Sequence, residues 1–87
     1  MASDNKLELI FVVNGTKVPL EVNVNRPLQS VLAEVLEKAG VVGDKEADKW
    51  FFKYNEQTIS DPNRKIGEFG FPVGALIFVN LKAGHVG

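Results

Sequence analysis

An Asn14-Gly15 pair between two stretches of strand-forming residues is the feature that most constrains the fold of this chain. Both residues tolerate a positive φ, so the pair predicts a two-residue type I′ turn between antiparallel strands. Such a short loop also sets the register, because Val13 must then lie opposite Thr16 and the apolar residues of both strands share one face. Pro19 lacks an N–H group, which favours an edge position for the second strand. The chain is therefore expected to begin with a β-hairpin whose apolar face another element covers.

An amphipathic helix is predicted after the hairpin. Its apolar residues recur at the spacing of a single helix face: Leu28, Val31, Leu32, Val35 and Leu36. Asn25 is expected to cap the helix, and Pro27 falls in the first turn, where a missing donor costs nothing. Gly40 can adopt the left-handed conformation that ends the helix. This helix is the element expected to cover the hairpin.

The second half of the chain predicts three more strands and a short helical turn. The expected strands are 50–54, 58–60 and 76–81, and the helical turn is 66–71. Alternation places Trp50, Phe52 and Tyr54 on one face of their strand, and it turns Ile77, Val79 and Leu81 inward. One helix against a mixed sheet of four to five strands is an α+β arrangement. If the last strand lies parallel to the first at the sheet centre, the compact solution is a β-grasp.

Composition narrows the classes of function. The chain has 87 residues, no cysteine and a formal net charge of -1. These values predict one domain at 7–82, with flexible ends at 1–6 and 83–87, and they argue against disulfides, thiolate metal sites and nucleic-acid binding. The polar start and short apolar runs favour a cytoplasmic protein with no membrane contact. The domain is expected to be a monomer on its own.

No catalytic constellation is evident in the sequence. His85 is the only histidine, and it has no serine, cysteine or carboxylate neighbour with which to form an acid–base pair. A solvated histidine is therefore the favoured interpretation. The chain is expected to be no enzyme and to hold neither a metal nor a cofactor.

The sheet face opposite the helix is predicted to bind partner proteins. The residues that alternation places on this face are Ile10, Val12, Phe51, Lys53, Leu76 and Phe78. An apolar surface of this kind marks an interaction site. The alternative is that a loop of the same chain, or self-association, covers these residues.

With this order of elements, the chain resembles ubiquitin and its relatives along nearly its whole length. The resemblance is carried by the passage from the second strand into the helix, by the stretch 52–59 with its tight turn, and by Ile66, Phe69 and Phe71 around the short helical turn. The resemblance implies the β-grasp fold. Lys53 falls where the ubiquitin recognition patch has its central isoleucine.

The chain is similar to bacterial ubiquitin-like proteins encoded beside homologues of activating, conjugating and deconjugating enzymes. This resemblance implies a protein modifier that is activated as an adenylate at a C-terminal glycine, here Gly87 or else Gly84, and joined to target proteins. Ubiquitin ends in a double glycine flanked by arginines, whereas the glycines after Lys82 are separated. Two alternatives stay open: a sulfur carrier that uses the same glycine, and an adaptor that binds partners without being conjugated.

Overall fold

A single mixed sheet of five strands organises the protein, and its strand order is β2-β1-β5-β3-β4. The computed structural model describes residues 5–41 and 49–81. The strands are β1 (Lys6–Val13), β2 (Thr16–Asn23), β3 (Trp50–Tyr54), β4 (Gln57–Thr58) and β5 (Ala75–Leu81). β5 is central and runs parallel to β1, while the other pairings are antiparallel. This topology confirms the predicted α+β, ubiquitin-like β-grasp fold.

The first hairpin forms in the predicted register. Asn14 and Gly15 have φ values of 51° and 83°, and Val13 pairs with Thr16. Hydrogen-bonded and non-hydrogen-bonded pairs alternate from this closing pair, so Pro19 lies in a non-hydrogen-bonded pair. The backbone nitrogen of Pro19 therefore faces the outer edge of β2, and its lack of an N–H group removes no ladder hydrogen bond. A strand with proline at this position is protected against unwanted pairing at its outer edge.

The helical segment begins differently from the prediction. It opens as a 3₁₀ helix (Leu28–Val31) and continues as α1 (Leu32–Lys38), with Gly40 beyond its end at a φ of 80°. The predicted Asn25 cap is wrong, because no side chain caps the segment. The N–H groups of Leu28 and Gln29 instead donate to the carbonyls of Arg64 (3.1 Å) and Pro62 (2.8 Å). A distant loop thus satisfies donors that a cap would otherwise take.

The helical segment and one face of the sheet enclose the core. Phe11 and Phe52 meet edge to face in it, with ring centroids 6.5 Å apart. The largest fully buried side chains of the described residues are Leu9, Phe11, Val13, Val22, Leu28, Val31, Leu32, Val35, Leu36, Phe52, Ile66 and Ile77. Leu81 was predicted to point inward but is 53% exposed. It pairs with Trp50, the first residue of β3, and so it lies at the end of the sheet.

A second tight hairpin joins β3 to β4. Asn55 and Glu56 form its turn with φ values of 55° and 65°, and β4 begins at Gln57, one residue before the predicted start. A 3₁₀ helix (Ile66–Phe69) follows and ends at Gly70, whose φ is 73°. The predicted helical turn is therefore present, and its end is set by a glycine in the left-handed region.

Candidate partner-binding face

The strand register gives the sheet face opposite α1, here called the open face, three central cross-strand rows, which lie between the outer pairs Lys6–Asn23 and Phe51–Asn80. The glutamate row consists of Glu21 and Glu8. The apolar row consists of Pro19, Ile10 and Leu76. The lysine row consists of Lys17, Val12, Phe78 and Lys53. Along β1 the rows follow one another in this order, each two residues from the next, because side chains of one face recur with a period of two.

Leu76 and Phe78 provide most of the apolar surface of the open face. They are 42% and 41% exposed, and Ile10 beside Leu76 is partly buried. The predicted apolar patch is thus present as a contiguous strip on β1 and β5. Phe51 was expected to be exposed but is partly buried, at a position where Asn80 is its cross-strand neighbour.

Val12 does not belong to the accessible part of this surface. It was predicted to project toward partners, yet it is only 8% exposed. Val12 lies on an interior strand, between Lys17 on β2 and Phe78 on β5. Directly opposed Cβ atoms are about 5 Å apart, so the two longer side chains cover it. Val12 therefore lies between these longer side chains and contributes little exposed surface to the open face.

Two hollows flank Phe78. The larger hollow, of about 430 Å³, lies toward the β3–β4 turn and is lined by Tyr54, Asn55, Glu56, Gly74, Ala75, Leu76 and Phe78. The smaller, of about 210 Å³, is lined by Lys53, Glu56, Phe78 and Asn80. The Phe78 side chain stands between the two hollows, so a protein partner can contact its ring from both sides. Lys53 is the cross-strand neighbour of Phe78 and lines the smaller hollow, so the surface combines an aromatic side chain with a cationic one.

The charges of the open face have no partners within the described part of the chain. The ion pairs Arg26–Glu34 (3.8 Å) and Arg64–Glu68 (3.1 Å) both involve residues of other surfaces. Within the described ranges 5–41 and 49–81, no ion pair joins a lysine of the open face to a glutamate of the open face. Glu8 and Glu21 are directly opposed, which places two like charges together. This opposition follows directly from the hairpin register, which pairs Val13 with Thr16.

The predicted attachment residues Gly84 and Gly87, and His85 with them, lie outside the described residues. So do most of the predicted N-terminal segment and of the loop before β3. Across the described ranges no group of three or more histidine, aspartate or glutamate side chains is placed to hold a metal ion. Nor does any described helix have the length and apolar character needed to span a membrane.

Comparison with known proteins places the chain in a family and in a fold. A family model described as "Protein of Unknown function (DUF2604)" matches residues 2–87. The uncharacterized protein y4jI of Sinorhizobium fredii is 42% identical over 82 residues, which are 94% of this chain and 62% of that protein. The chain therefore spans less than two thirds of the length of this relative.

Solved structures of ubiquitin-like proteins superpose on nearly the whole chain. A de novo design based on ubiquitin gives a TM-score of 0.74 at 16% identity, covering 97% of this chain and 98% of the design. The ubiquitin-like domain of an Arabidopsis thaliana protein gives 0.70 at 18% identity, covering 100% and 88%. Caldiarchaeum subterraneum ubiquitin gives 0.70 at 15% identity, covering 93% and 99%. At these identities the likeness establishes the ubiquitin-like fold, as the sequence resemblance implied.

Proposed function

The chain belongs to the DUF2604 family, and from its ubiquitin-like fold we propose that it acts as a ubiquitin-like protein modifier. The observation that carries the proposal is where β5 ends. This central strand reaches the end of the sheet at Leu81, which is 53% exposed, and a segment containing Gly84 and Gly87 follows in sequence. In the proposal Gly87 is the terminal residue of the active form, and a terminal glycine offers a carboxylate that narrow enzyme tunnels can admit, because it has no side chain.

In the proposed cycle this chain supplies the carboxylate, and its partners supply the catalytic groups. The Gly87 carboxylate attacks the α-phosphorus of ATP and releases pyrophosphate, which gives an acyl adenylate. A thiol of the activating enzyme displaces AMP to form a thioester, and an amine of the target then displaces the thiol. We place this cycle in the cytoplasm, where ATP is available, with activating, conjugating and deconjugating enzymes as partners.

In this proposal the open face is the surface that partner enzymes bind. Partner enzymes must recognise the folded domain, and Leu76 with Phe78 forms an exposed apolar strip that Lys53 borders. Aromatic and aliphatic anchors beside a charge are typical of recognition surfaces. The same observation favours a second candidate, an adaptor that binds partners through this strip without being conjugated.

A mass-spectrometric experiment tests the modifier proposal. The chain, tagged at its N-terminus, is expressed in its native host and purified under denaturing conditions. Trypsin cleaves after Lys82, so conjugation through Gly87 leaves the remnant Ala83-Gly84-His85-Val86-Gly87 on the acceptor amine. Gly87→Val should abolish this remnant, and the matched variant Lys82→Arg should retain it because trypsin also cleaves after arginine.

The other outcomes separate the remaining candidates. An Ala83-Gly84 remnant would move the attachment point to Gly84. An intact chain in which one oxygen is replaced by sulfur would indicate a sulfur carrier. A chain that is free and unmodified in this preparation, but that co-purifies with partners in a parallel native purification and loses them on Phe78→Ser, would refute conjugation and leave the adaptor.

A further inference from the structure

The open face has a charge order that is complementary to itself. We infer that two copies of this chain associate through their open faces in a two-fold symmetric dimer, held by the apolar rows and by contacts of Lys17 with Glu8 and Glu21 of the other copy. The inference goes beyond the proposed function and does not depend on it. It departs from the sequence-based expectation of a monomer.

The glutamate row is the first part of the argument. Glu8 and Glu21 occupy a non-hydrogen-bonded pair, in which the two Cα atoms are about 4.5 Å apart. Like charges in this position are destabilising. Lys6 lies one row further along β1, opposite Asn23, and it forms no ion pair with either glutamate. A cation that approaches from above the sheet would relieve this repulsion.

Lys17 has the matching position on the other side of the apolar row. It is four residues from Glu21 on the same strand, a separation of about 14 Å that its side chain cannot bridge within one copy. The lysine is exposed, and its cross-strand neighbour is the buried Val12. No carboxylate in the ranges 5–41 and 49–81 forms an ion pair with Lys17, so a second copy of the chain can supply one.

A two-fold axis that runs across the strands and through the apolar row brings a cation to the glutamate row and a carboxylate to Lys17. Such an axis reverses the strand direction, so the lysine row of each copy lies over the glutamate row of the other. Ile10, Pro19 and Leu76 then face their own equivalents, as an isologous interface requires. An axis parallel to the strands would instead place the lysine row over the lysine row and the glutamate row over the glutamate row. The charge order thus selects the antiparallel arrangement, at the spacing of about 10 Å that packed sheets adopt.

The size of the face predicts a weak dimer. Four strands about 4.8 Å apart and seven residues long cover roughly 450 Å² per copy, or about 900 Å² in total. This area is below the roughly 1,200 Å² at which stable complexes begin, so the dimer should exchange with the monomer. Association should consequently depend on protein concentration, and it should weaken as salt screens the Lys17–Glu21 contacts.

Sedimentation equilibrium over a concentration series that reaches the millimolar range measures this association directly. The weight-average mass of the native chain should rise with concentration toward that of a dimer. Lys17→Glu and Glu21→Lys should each raise the dissociation constant about tenfold, because each variant places like charges together at two symmetric contacts. An equimolar mixture of the two variants should recover association, because the reversed position 17 of one copy then faces the reversed position 21 of the other.

Matched variants separate the effect of charge position on the dissociation constant from the effect of net charge. Lys65→Glu and Glu37→Lys make the same charge changes at exposed positions away from the open face, and they should associate like the native chain. Leu76→Asp places two carboxylates on the axis and should abolish the dimer. Circular dichroism confirms that each variant is folded.

Three results would overturn the inference. The native chain could stay monomeric at the highest concentration, the mixture of Lys17→Glu and Glu21→Lys could associate no better than either variant alone, or Leu76→Asp could associate unchanged. None of these measurements involves Gly87. The conjugation test can therefore fail while the dimer is confirmed, and the reverse also holds.

Discussion

Truncation of two phenylalanines on opposite faces of the sheet tests the face assignment on which the site depends. Phe52 on β3 is 1% exposed and contacts Phe11 edge to face, whereas Phe78 on β5 is 41% exposed on the open face. Phe52→Ala removes a fully buried ring and leaves a cavity, which costs about 3–5 kcal/mol. Phe78→Ala loses burial of just over half a ring and leaves no enclosed cavity, so about 1–2 kcal/mol is expected.

Urea unfolding monitored by the fluorescence of Trp50 measures both costs. With an m-value near the lower end of the 1–3 kcal/mol/M range, suited to a small domain, Phe52→Ala should lower the midpoint by roughly 2–4 M and Phe78→Ala by roughly 1 M. The total stability expected for a chain of this length is only about 4–13 kcal/mol, so the Phe52 variant is expected to be close to unfolding. Low protein concentration keeps self-association out of the measurement.

Equal costs for the two variants would refute the assignment of β3 and β5 side chains to the core and to the open face. A larger cost for Phe78 would reverse it. Either outcome would also remove the basis for an exposed apolar strip, because an anchor for partners cannot be part of the core. The two losses of unfolding free energy can be compared directly, because both variants make the same chemical change within one sheet.

Three further changes test local features by the same unfolding assay. Gly15→Val should cost about 1–3 kcal/mol, because a β-branched residue is strained at a φ of 83°, and a cost near zero would contradict the type I′ turn. Gly67→Ala should cost about 1 kcal/mol, since its Cβ would lie 3.2 Å from the Cβ of Val24; a stabilised variant would show that this contact relaxes freely. Glu21→Lys should stabilise the monomer by about 0.2–1 kcal/mol by removing the repulsion with Glu8, and no gain would mean that solvent already screens the pair.

Local chemistry made the hairpin predictable, and long-range contacts made the helix start unpredictable. Asn14 and Gly15 determine their own turn, and the register of eight residue pairs follows from it. The start of the helical segment depends on carbonyls of Pro62 and Arg64, more than thirty residues further along the chain. No pattern near Asn25 could reveal that these acceptors replace a cap.

The composition of the open face was predictable from alternation, but the exposure of each residue was not. A period of two assigns Val12 and Phe78 to the same face. Only the parallel pairing of β1 with β5 shows that they are neighbours and that Val12 is buried beside Phe78. The apolar row likewise follows only from the β1–β5 register, which aligns Leu76 with Ile10.

The charge rows also constrain what else can bind the open face. A partner that covers Leu76 and Phe78 meets Lys17 and Lys53 on one side and the opposed pair Glu8 and Glu21 on the other. Apolar contact alone would allow several orientations, whereas a misoriented partner would place like charges together. A protein that binds the open face should therefore present acidic groups over the lysine row and basic groups over the glutamate row. Because a second copy presents this same order, partner and copy compete for one face, and Leu76→Asp should impair both.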